Sequence, residues 1–343
     1  MKTHQIIRGY RPHSNKFNPF WLLFLFISFT IVSCDDDKAA KTPADYVNPF
    51  IGTGGHGHTY PGAMVPFGMV QLSPDTRKDS WDGCSGYHYS DDQIFGFSHT
   101  HLSGTGVGDY GDIRFMPWTG SLDTLMATYQ KGLLPYARFS HDKEEATAGY
   151  YEVEFDDMDI EVELTVGRRS GFHAYEFEDE NENFVILDLF EGATTDMILG
   201  LELEIINDHT LSGLKRTRGW SQDQYVYFYA VFSEAFSNTT VLEKGKKLEG
   251  TSFTSMEDLK AILAFENKEE VYVKVGISAV DADGARKNLE SEIPEWNFDE
   301  LKQKAYNSWN EELGKIIVEG GTKEQKITFY TALYHSYLAP YLY

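Results

Sequence analysis

Residues 151–166 read YEVEFDDMDIEVELTV, and this stretch decides the fold class of the chain. Tyr151, Val153 and Phe155 alternate with acids, and residues 160–166 repeat the alternation after a short turn. A period of two, with acids on the opposite face, is typical of half-buried antiparallel strands. The stretch therefore predicts a mainly β, antiparallel domain.

Further strands follow along the chain. Residues 184–189 and 225–232 are apolar on both faces and predict central strands, while residues 260–265 and 271–277 predict a late hairpin. Many strands separated by turn signals indicate a β-sandwich, to which we assign residues 45–280.

The apolar spacing becomes helical after the predicted sandwich. Residues 283–293 predict a helix that Pro294 ends, and Asn297 is placed to cap a second helix, with Glu300 at the capping-box position. We assign residues 281–321 to linker helices.

A third helix is predicted to start at Thr322 and to be largely apolar and aromatic. Since the sequence stops soon afterwards, at Tyr343, without a polar end, we expect residues 322–343 to begin a further domain. The chain is then the front part of a longer protein.

Residues 1–33 predict a removed leader. Basic residues without acids precede an apolar run over residues 20–32, which is shorter than the ~20 residues of a membrane span and typical of a secretory signal. Residues 31–34 resemble a bacterial lipobox, so Cys34 is expected to be lipidated and to anchor the chain to a membrane through a flexible tether, residues 34–44. An ordinary cleaved signal with a coincidental cysteine is the alternative.

The acidic residues and the cysteines of the sequence bear on its location, its partners and its disulfide bonds. The acidic residues 35–37 resemble the surface-export signal of Bacteroidetes-type lipoproteins, which favours the outer-membrane surface over the periplasm. The formal charge is −23, which argues against a nucleic-acid partner. Cys84 is the only cysteine besides Cys34, so no disulfide is expected in the exported domain.

Histidines stand out in the glycine-rich N-terminal region. His56 and His58, and later His99 and His101, are two residues apart. On a strand this spacing puts both imidazoles of a pair on one face, so the four side chains could meet at one zinc ion of a hydrolase. Hydrogen-bonded loop histidines are the alternative, and we assign no metal ligands.

The segment 81–87 suggests a sugar site. Trp81 offers an aromatic face for a pyranose, and Asp82 offers a carboxylate for its hydroxyls. Cys84 is either a nucleophile or a packing residue. A carboxylate pair for acid–base chemistry could come from a set of acids, Asp82, Asp91, Asp92, Asp109 and Asp112.

Four motifs carry a family resemblance. They are residues 45–63 with residues 66–75, residues 81–89 (WDGCSGYHY), residues 96–106 (GFSHTHLSGTG) and the VKVGIS of residues 273–278, which Ala285-Arg-Lys-Asn-Leu289 follows. Together they closely resemble glycoside hydrolase family 92, bacterial exo-acting α-mannosidases that trim N-glycans and mannan. The resemblance implies an N-terminal β-sandwich joined by helices to an (α/α)6 barrel.

The resemblance also implies a mechanism. Family members need Ca²⁺ and invert anomeric configuration, and their acid, their base and most calcium ligands lie in the barrel. We therefore expect no catalytic residue in this chain, which alone would be inactive and would pair with its own C-terminal barrel. A stand-alone surface glycan-binding lipoprotein is the alternative.

The sandwich is expected to supply part of the pocket for a terminal mannose of a glycan. Arg77 joins Asp82 as a ligand for sugar hydroxyls, and Trp81 forms the stacking wall. The complete predicted set of substrate-binding residues is His56, His58, Arg77, Trp81, Asp82, Cys84, His99 and His101.

Overall fold

The computed structural model describes residues 41–178, 182–193, 197–266 and 268–343. The predicted leader and Cys34 lie outside the described residues. The last residues of the predicted tether are described and belong to the folded body: a 3-10 turn spans Pro43–Tyr46, and the Thr42 hydroxyl lies 2.7 Å from the Tyr306 hydroxyl.

The described residues form eighteen strands, four α-helices and two 3-10 turns. The strands are β1 (Ser73–Asp75), β2 (Gln93–Ile94), β3 (Gly96–Ser98), β4 (Arg114–Thr119), β5 (Ala137–Arg138), β6 (Glu144–Thr147), β7 (Tyr150–Glu154), β8 (Ile160–Val166), β9 (Ser170–Phe177), β10 (Asn183–Asp188), β11 (Met197–Asn207), β12 (Thr210–Arg218), β13 (Gln224–Phe232), β14 (Asn238–Glu243), β15 (Lys246–Leu248), β16 (Ser252–Ser255), β17 (Leu259–Phe265) and β18 (Glu270–Ser278). The helices are α1 (Leu122–Gln130), α2 (Ala282–Glu292), α3 (Phe298–Leu313) and α4 (Lys323–Ser336), and the second 3-10 turn is His141–Lys143.

Two antiparallel sheets make up the body of the chain. One has nine strands in the order β16-β11-β12-β13-β18-β9-β8-β7-β6, and the other has seven in the order β1-β3-β4-β10-β17-β14-β15. A separate ribbon pairs β2 with β5. The two sheets face each other across an aromatic core, where the Phe115 ring lies 5.7 Å from His173 and 6.2 Å from Phe232. The predicted antiparallel sandwich is confirmed.

The strand patterns give the expected burial. In β8 the apolar residues are buried while Glu161 and Glu163 are partly exposed. The two predicted central strands are also confirmed, since β10 lies between β4 and β17 and β13 lies between β12 and β18. All residues of β10 are buried.

The predicted late hairpin is wrong. β17 pairs with β10 and β14 in the seven-stranded sheet, whereas β18 pairs with β9 and β13 in the nine-stranded sheet. The chain therefore crosses from one sheet to the other between these strands. Each strand has a buried apolar face that fits either sheet, so the alternation alone does not choose the partner strand.

The three predicted helices are confirmed. Asp281 caps α2, whose backbone approaches the sheet so closely that a Cβ on Gly276 would lie 2.2 Å from the Ala285 carbonyl oxygen. Asn297 caps α3 by accepting from the Glu300 N–H at 3.1 Å. The Glu300 carboxylate accepts from the Asn297 side chain instead of its backbone, so the predicted capping box is incomplete.

Helices α3 and α4 hold the N-terminal segment, residues 42–67, against the sandwich. The backbone N–H of Ala44 donates to Asn310 Oδ1 at 2.9 Å, and that of Asn48 donates to Thr331 Oγ1 at 3.0 Å. The buried Trp309 donates from Nε1 to the Met64 carbonyl at 2.5 Å. These contacts fix the two ends of the glycine-rich loop, residues 52–62, which lies within this segment. Within the described residues, no helix is long and apolar enough to cross a membrane.

Candidate functional site

Trp81 forms the centre of an exposed aromatic cluster. Its side chain is 58% exposed, although it is one of the largest apolar groups in the chain. The His58 ring meets the indole edge-on at 4.5 Å, and the His56 ring lies 4.9 Å away. A Cβ on Gly106 would lie 2.6 Å from Trp81 Nε1, so glycine lets that loop pass beside the indole. The structure thus brings three predicted site residues together.

Asp82 adds a carboxylate to this cluster. Its Oδ1 lies 2.5 Å from His56 Nδ1, and both side chains are open to solvent. The hydrogen bond from His56 lowers the pKa of Asp82, which therefore stays ionised at neutral pH. An aromatic face beside an ionised carboxylate and an imidazole is suited to a ligand with apolar C–H faces and hydroxyl groups.

His58 differs from His56 in its surroundings. It is buried, its backbone has a φ of +53°, and its Nε2 has no hydrogen-bond partner. A buried ring nitrogen without a partner is unusual in a folded protein. His58 therefore supports the indole, and its Nε2 has no partner among the described residues.

Arg77 lies behind the segment 81–87, and its guanidinium already forms an ion pair. Its guanidinium donates to both carboxylate oxygens of Asp91 and to Ser90 Oγ. A Cβ on Gly83 would lie 2.6 Å from Arg77 Cδ, so the segment packs on the arginine stem. The predicted role of Arg77 in binding hydroxyls would need this ion pair to open.

Cys84 is buried beneath the same segment. Its thiol donates to the Thr105 carbonyl oxygen at 2.6 Å, and burial raises the pKa of the thiol. A buried thiol with a raised pKa is a poor nucleophile at neutral pH, because the thiolate is the reactive form. The geometry favours packing over nucleophilic chemistry.

We expect Cys84 to resist alkylation in the folded chain. Iodoacetamide at neutral pH should label the Cys34→Ser variant only slowly, and the same variant should react fully in denaturant. Mass spectrometry of the labelled chain measures the difference. Rapid stoichiometric labelling of the folded variant would contradict the buried, protonated thiol.

His99 and His101 lie in the interior. His99 bonds the Ile113 carbonyl at 2.7 Å and His173 Nε2 at 3.2 Å, and burial lowers the pKa of His99 to about 4, so it is neutral. His101 Nε2 lies 2.9 Å from Asp75 Oδ1. Neither imidazole joins the exposed cluster. His101 packs against the end of the segment 81–87, since a Cβ on Gly86 would lie 2.8 Å from the ring.

The four histidines do not meet. The two pairs are not on strands, because β3 ends just before His99 and the first pair lies in a loop. Over the described ranges, no group of three or more His, Cys, Asp or Glu side chains could hold a metal ion. The hypothesis of one zinc site built from these histidines is therefore wrong.

The other predicted acids are held by structural partners. Asp92 pairs with Arg138 at 3.1 Å, and Asp109 accepts from the Trp220 N–H at 2.9 Å. Asp112 is buried and accepts from Thr100 and Gln224. Among the five acids considered, Asp82 is the one beside the exposed indole.

Tyr89 is a second exposed aromatic residue near this surface, and it was not among the predicted substrate-binding residues. Its ring stacks on His141 at 3.9 Å and is 43% exposed, and its N–H donates to the Thr53 carbonyl at 3.0 Å. His88 Nε2 lies 3.1 Å from the Gly55 carbonyl and helps to hold the loop of His56. The position of these residues directly after the Trp81 segment was the available signal.

Two family models match the chain. The glycosyl hydrolase family 92 N-terminal domain matches residues 46–278, close to the predicted sandwich of 45–280. The glycosyl hydrolase family 92 catalytic domain matches residues 284–343, so it includes most of the segment assigned above to linker helices.

Solved structures of family GH92 enzymes are similar to the chain. A family GH92 α-mannosidase of Bacteroides thetaiotaomicron is 36% identical with a TM-score of 0.82, over 89% of this chain and 42% of that one. It was also solved in complex with mannoimidazole. A family GH92 inverting mannosidase from B. thetaiotaomicron VPI-5482 is 27% identical with a TM-score of 0.76, over 89% of this chain and 40% of that one.

A curated relative is more distant. An uncharacterized secreted glycosidase of Arthroderma benhamiae is 24% identical over 86% of this chain and 41% of the relative. The chain thus spans about two fifths of the length of the relatives it matches.

Proposed function

The chain belongs to glycosyl hydrolase family 92, and from this membership we propose that it is the N-terminal part of an exo-α-mannosidase that removes terminal α-mannose from N-glycans or mannan. The observation that carries the proposal is the exposed Trp81 with Asp82 and His56 beside it. The similar structures described as α-mannosidases support the choice of sugar.

The Trp81 cluster would bind the non-reducing mannose. The indole face would cover the C–H side of the ring, and Asp82 would accept hydrogen bonds from ring hydroxyls. His56, which is 70% exposed, can rotate towards the ligand or remain on Asp82. This surface supplies one wall, and the C-terminal barrel would supply the other.

Catalysis is assigned to the barrel. An inverting mechanism needs a general acid and a general base about 6.5–9.5 Å apart, with a water molecule between base and sugar. The similar inverting mannosidase supports this stereochemistry for the whole protein. The role of the present chain is then to bind and orient the sugar.

We propose that most ligands of the calcium ion implied by the family resemblance lie in the C-terminal barrel. In the described ranges no three or more His, Cys, Asp or Glu side chains are grouped as metal ligands, which supports this placement.

We further propose that the protein is an outer-membrane lipoprotein on the cell surface. The lipobox-like residues 31–34 and the acidic residues after Cys34 support this location, and the relative described as secreted supports export. An intact lipid anchor would hold the sugar-binding surface outside the cell.

Expression of two forms tests the function. The full-length gene product, with calcium, is expected to release mannose from α-1,2-mannobiose or yeast mannan, and the 343-residue chain alone is not. Proton NMR of early time points should show β-mannose first, as inversion requires. Turnover by the chain alone would contradict the placement of the catalytic carboxyl groups, and binding without any turnover by the full-length product would favour a glycan-binding lipoprotein.

A further inference from the structure

Two adjacent cavities are lined by residues other than His56, His58, Trp81 and Asp82 of the exposed cluster. The larger, about 780 Å³, is bounded by α1, the β2–β5 ribbon and the end of β4. The smaller, about 340 Å³, is bounded by residues 75–78, Asp91, Arg114 and Gly192. Phe95 and Leu134 line both, so the two cavities are neighbours. Both volumes lie within the range of small-molecule sites, about 300–1,000 Å³.

Polar atoms without partners concentrate in these cavities. Eight buried side-chain N or O atoms in the described part of the chain have no hydrogen-bond partner, and four belong to residues that line the two cavities. They are Trp118 Nε1, Thr119 Oγ1, Arg114 Nε and Asp75 Oδ2. Since buried polar atoms are nearly always paired with protein or with ordered water, these four atoms are the positions at which a polar group in the cavities would be bonded.

The walls of the larger cavity are aromatic and uncharged except for Asp157. The Phe95 and Tyr136 rings meet edge-on at 6.1 Å, and Trp118 adds a third ring. Thr119, Thr124 and Thr128 also line it, and the Thr119 hydroxyl is the one of the three without a partner. Aromatic faces beside an unpaired hydroxyl suit a ligand with alternating apolar and hydroxyl surfaces.

The charges of the smaller cavity exclude an anionic ligand. Its cations are already paired: Arg77 with Asp91, Lys78 with Glu191, and Arg114 with Asp188. The free atom is Asp75 Oδ2, because its other oxygen accepts from Ser98 and His101. An unpaired carboxylate oxygen repels an anion and accepts a hydroxyl, while Arg114 Nε donates to one.

We propose that these cavities form a second carbohydrate-binding site, which takes a short neutral hexopyranose oligosaccharide. The larger cavity lies on α1, β4 and the β2–β5 ribbon, and no residue of the exposed Trp81 cluster lines either cavity, although Arg77 of the smaller one packs against residues 81–87. The second site contributes no group to hydrolysis. It would hold a glycan while another part of that glycan is processed, and it goes beyond the function proposed above.

Calorimetry of the 343-residue chain tests the site. The ligands are mannotriose, maltotriose and cellotriose, with trigalacturonate as the anionic comparison. We expect at least one neutral trisaccharide to bind at millimolar concentration and trigalacturonate not to bind. Thr119→Val removes one hydroxyl at nearly constant volume and should weaken binding by about 2- to 12-fold, the value of one hydrogen bond. Tyr136→Ala, which removes an aromatic wall, should weaken it by about tenfold.

Matched variants separate this site from structural effects and from the Trp81 cluster. Thr119→Ser keeps the hydroxyl and should keep the affinity. Thr119→Val should unfold at the same urea concentration as the parent chain or a higher one, because it removes an unpaired buried hydroxyl. Trp296→Ala, at a partly exposed tryptophan that lines neither cavity and lies outside the Trp81 cluster, should leave the affinity unchanged. The proposal is overturned if no neutral trisaccharide binds, if Thr119→Val and Tyr136→Ala bind normally, or if Trp81→Ala abolishes binding, which would assign the ligand to the Trp81 cluster.

Discussion

Replacing Asp188 with alanine is expected to lower the free energy of unfolding of the chain by about 3–5 kcal/mol, the usual cost of removing one partner from a buried ion pair. Asp188 accepts from Arg114 Nη2 at 2.8 Å and lies 3.4 Å from Lys260 Nζ. Both cations are buried, 3% and 1% exposed, so the variant would leave two charges without their shared carboxylate. Urea denaturation followed by circular dichroism measures the loss.

The same residue predicts a pH dependence. Burial alone would raise the pKa of Asp188, but the charges of Lys260 and Arg114 and the N–H of Glu191 outweigh burial and hold the pKa well below its usual range. Its contribution to stability is complete above the pKa of the unfolded chain, about 3.9. As pH falls from about 4 towards 2, the unfolded chain binds the proton first, so this stability is lost. Asp188→Asn should flatten that part of the curve.

Asp223 provides the surface control. It pairs with Arg216 at 2.7 Å, but both side chains are exposed, so Asp223→Ala should cost no more than about 1 kcal/mol. If Asp188→Ala costs as little as Asp223→Ala, the buried cluster does not stabilise the sandwich as its geometry indicates.

Replacing Trp81 with alanine is expected to reduce kcat/KM of the full-length enzyme on an α-mannoside by about 30- to 150-fold. The estimate rests on about 2–3 kcal/mol for an aromatic wall covered by the sugar. Because the indole would contact the ring in both the ground state and the transition state, most of the loss should appear as a higher KM. Initial rates over a range of substrate concentrations separate the change in KM from the change in kcat.

Trp296 is the matched control for this variant. It is also partly exposed, at 42%, but it lies against Phe172 and under the Lys274 ammonium, away from the glycine-rich loops. Trp296→Ala should leave kcat/KM unchanged even if it lowers stability. Equal losses in the two variants, or no loss in Trp81→Ala, would contradict a sugar-binding role for Trp81.

The sheets and helices were predictable because their patterns are local. Alternation in β8 and the helical spacing of Phe298, Leu301 and Trp309 each reflect one buried face. Strand partners were less predictable, since β17 and β18 are adjacent in sequence but lie in different sheets. Pairing depends on the whole three-dimensional arrangement, which the pattern of one strand does not contain.

Only part of the candidate site was predictable, because local motifs name candidate residues but do not show which of them meet in the folded chain. His56 comes from one motif and Trp81 and Asp82 from another, but all three were predicted to line one pocket, and the structure brings them together. The sequence did not show that His99 and His101 point inwards, because an equal spacing of two occurs in loops as well as strands. The sequence also did not show that the Arg77 guanidinium pairs with the Asp91 carboxylate, since the two residues are fourteen positions apart.

The hydrogen bonds that join α3 and α4 to the N-terminal segment, residues 42–67, have a consequence for biosynthesis. The bond from Ala44 to Asn310, and that from Trp309 to Met64, join residues 266 and 245 positions apart. Contacts of such separation form late, because a long loop must close before they are gained. The N-terminal segment, residues 42–67, is therefore among the last described parts of the chain to settle, and an exporter that threads an unfolded polypeptide would meet the chain before these contacts form.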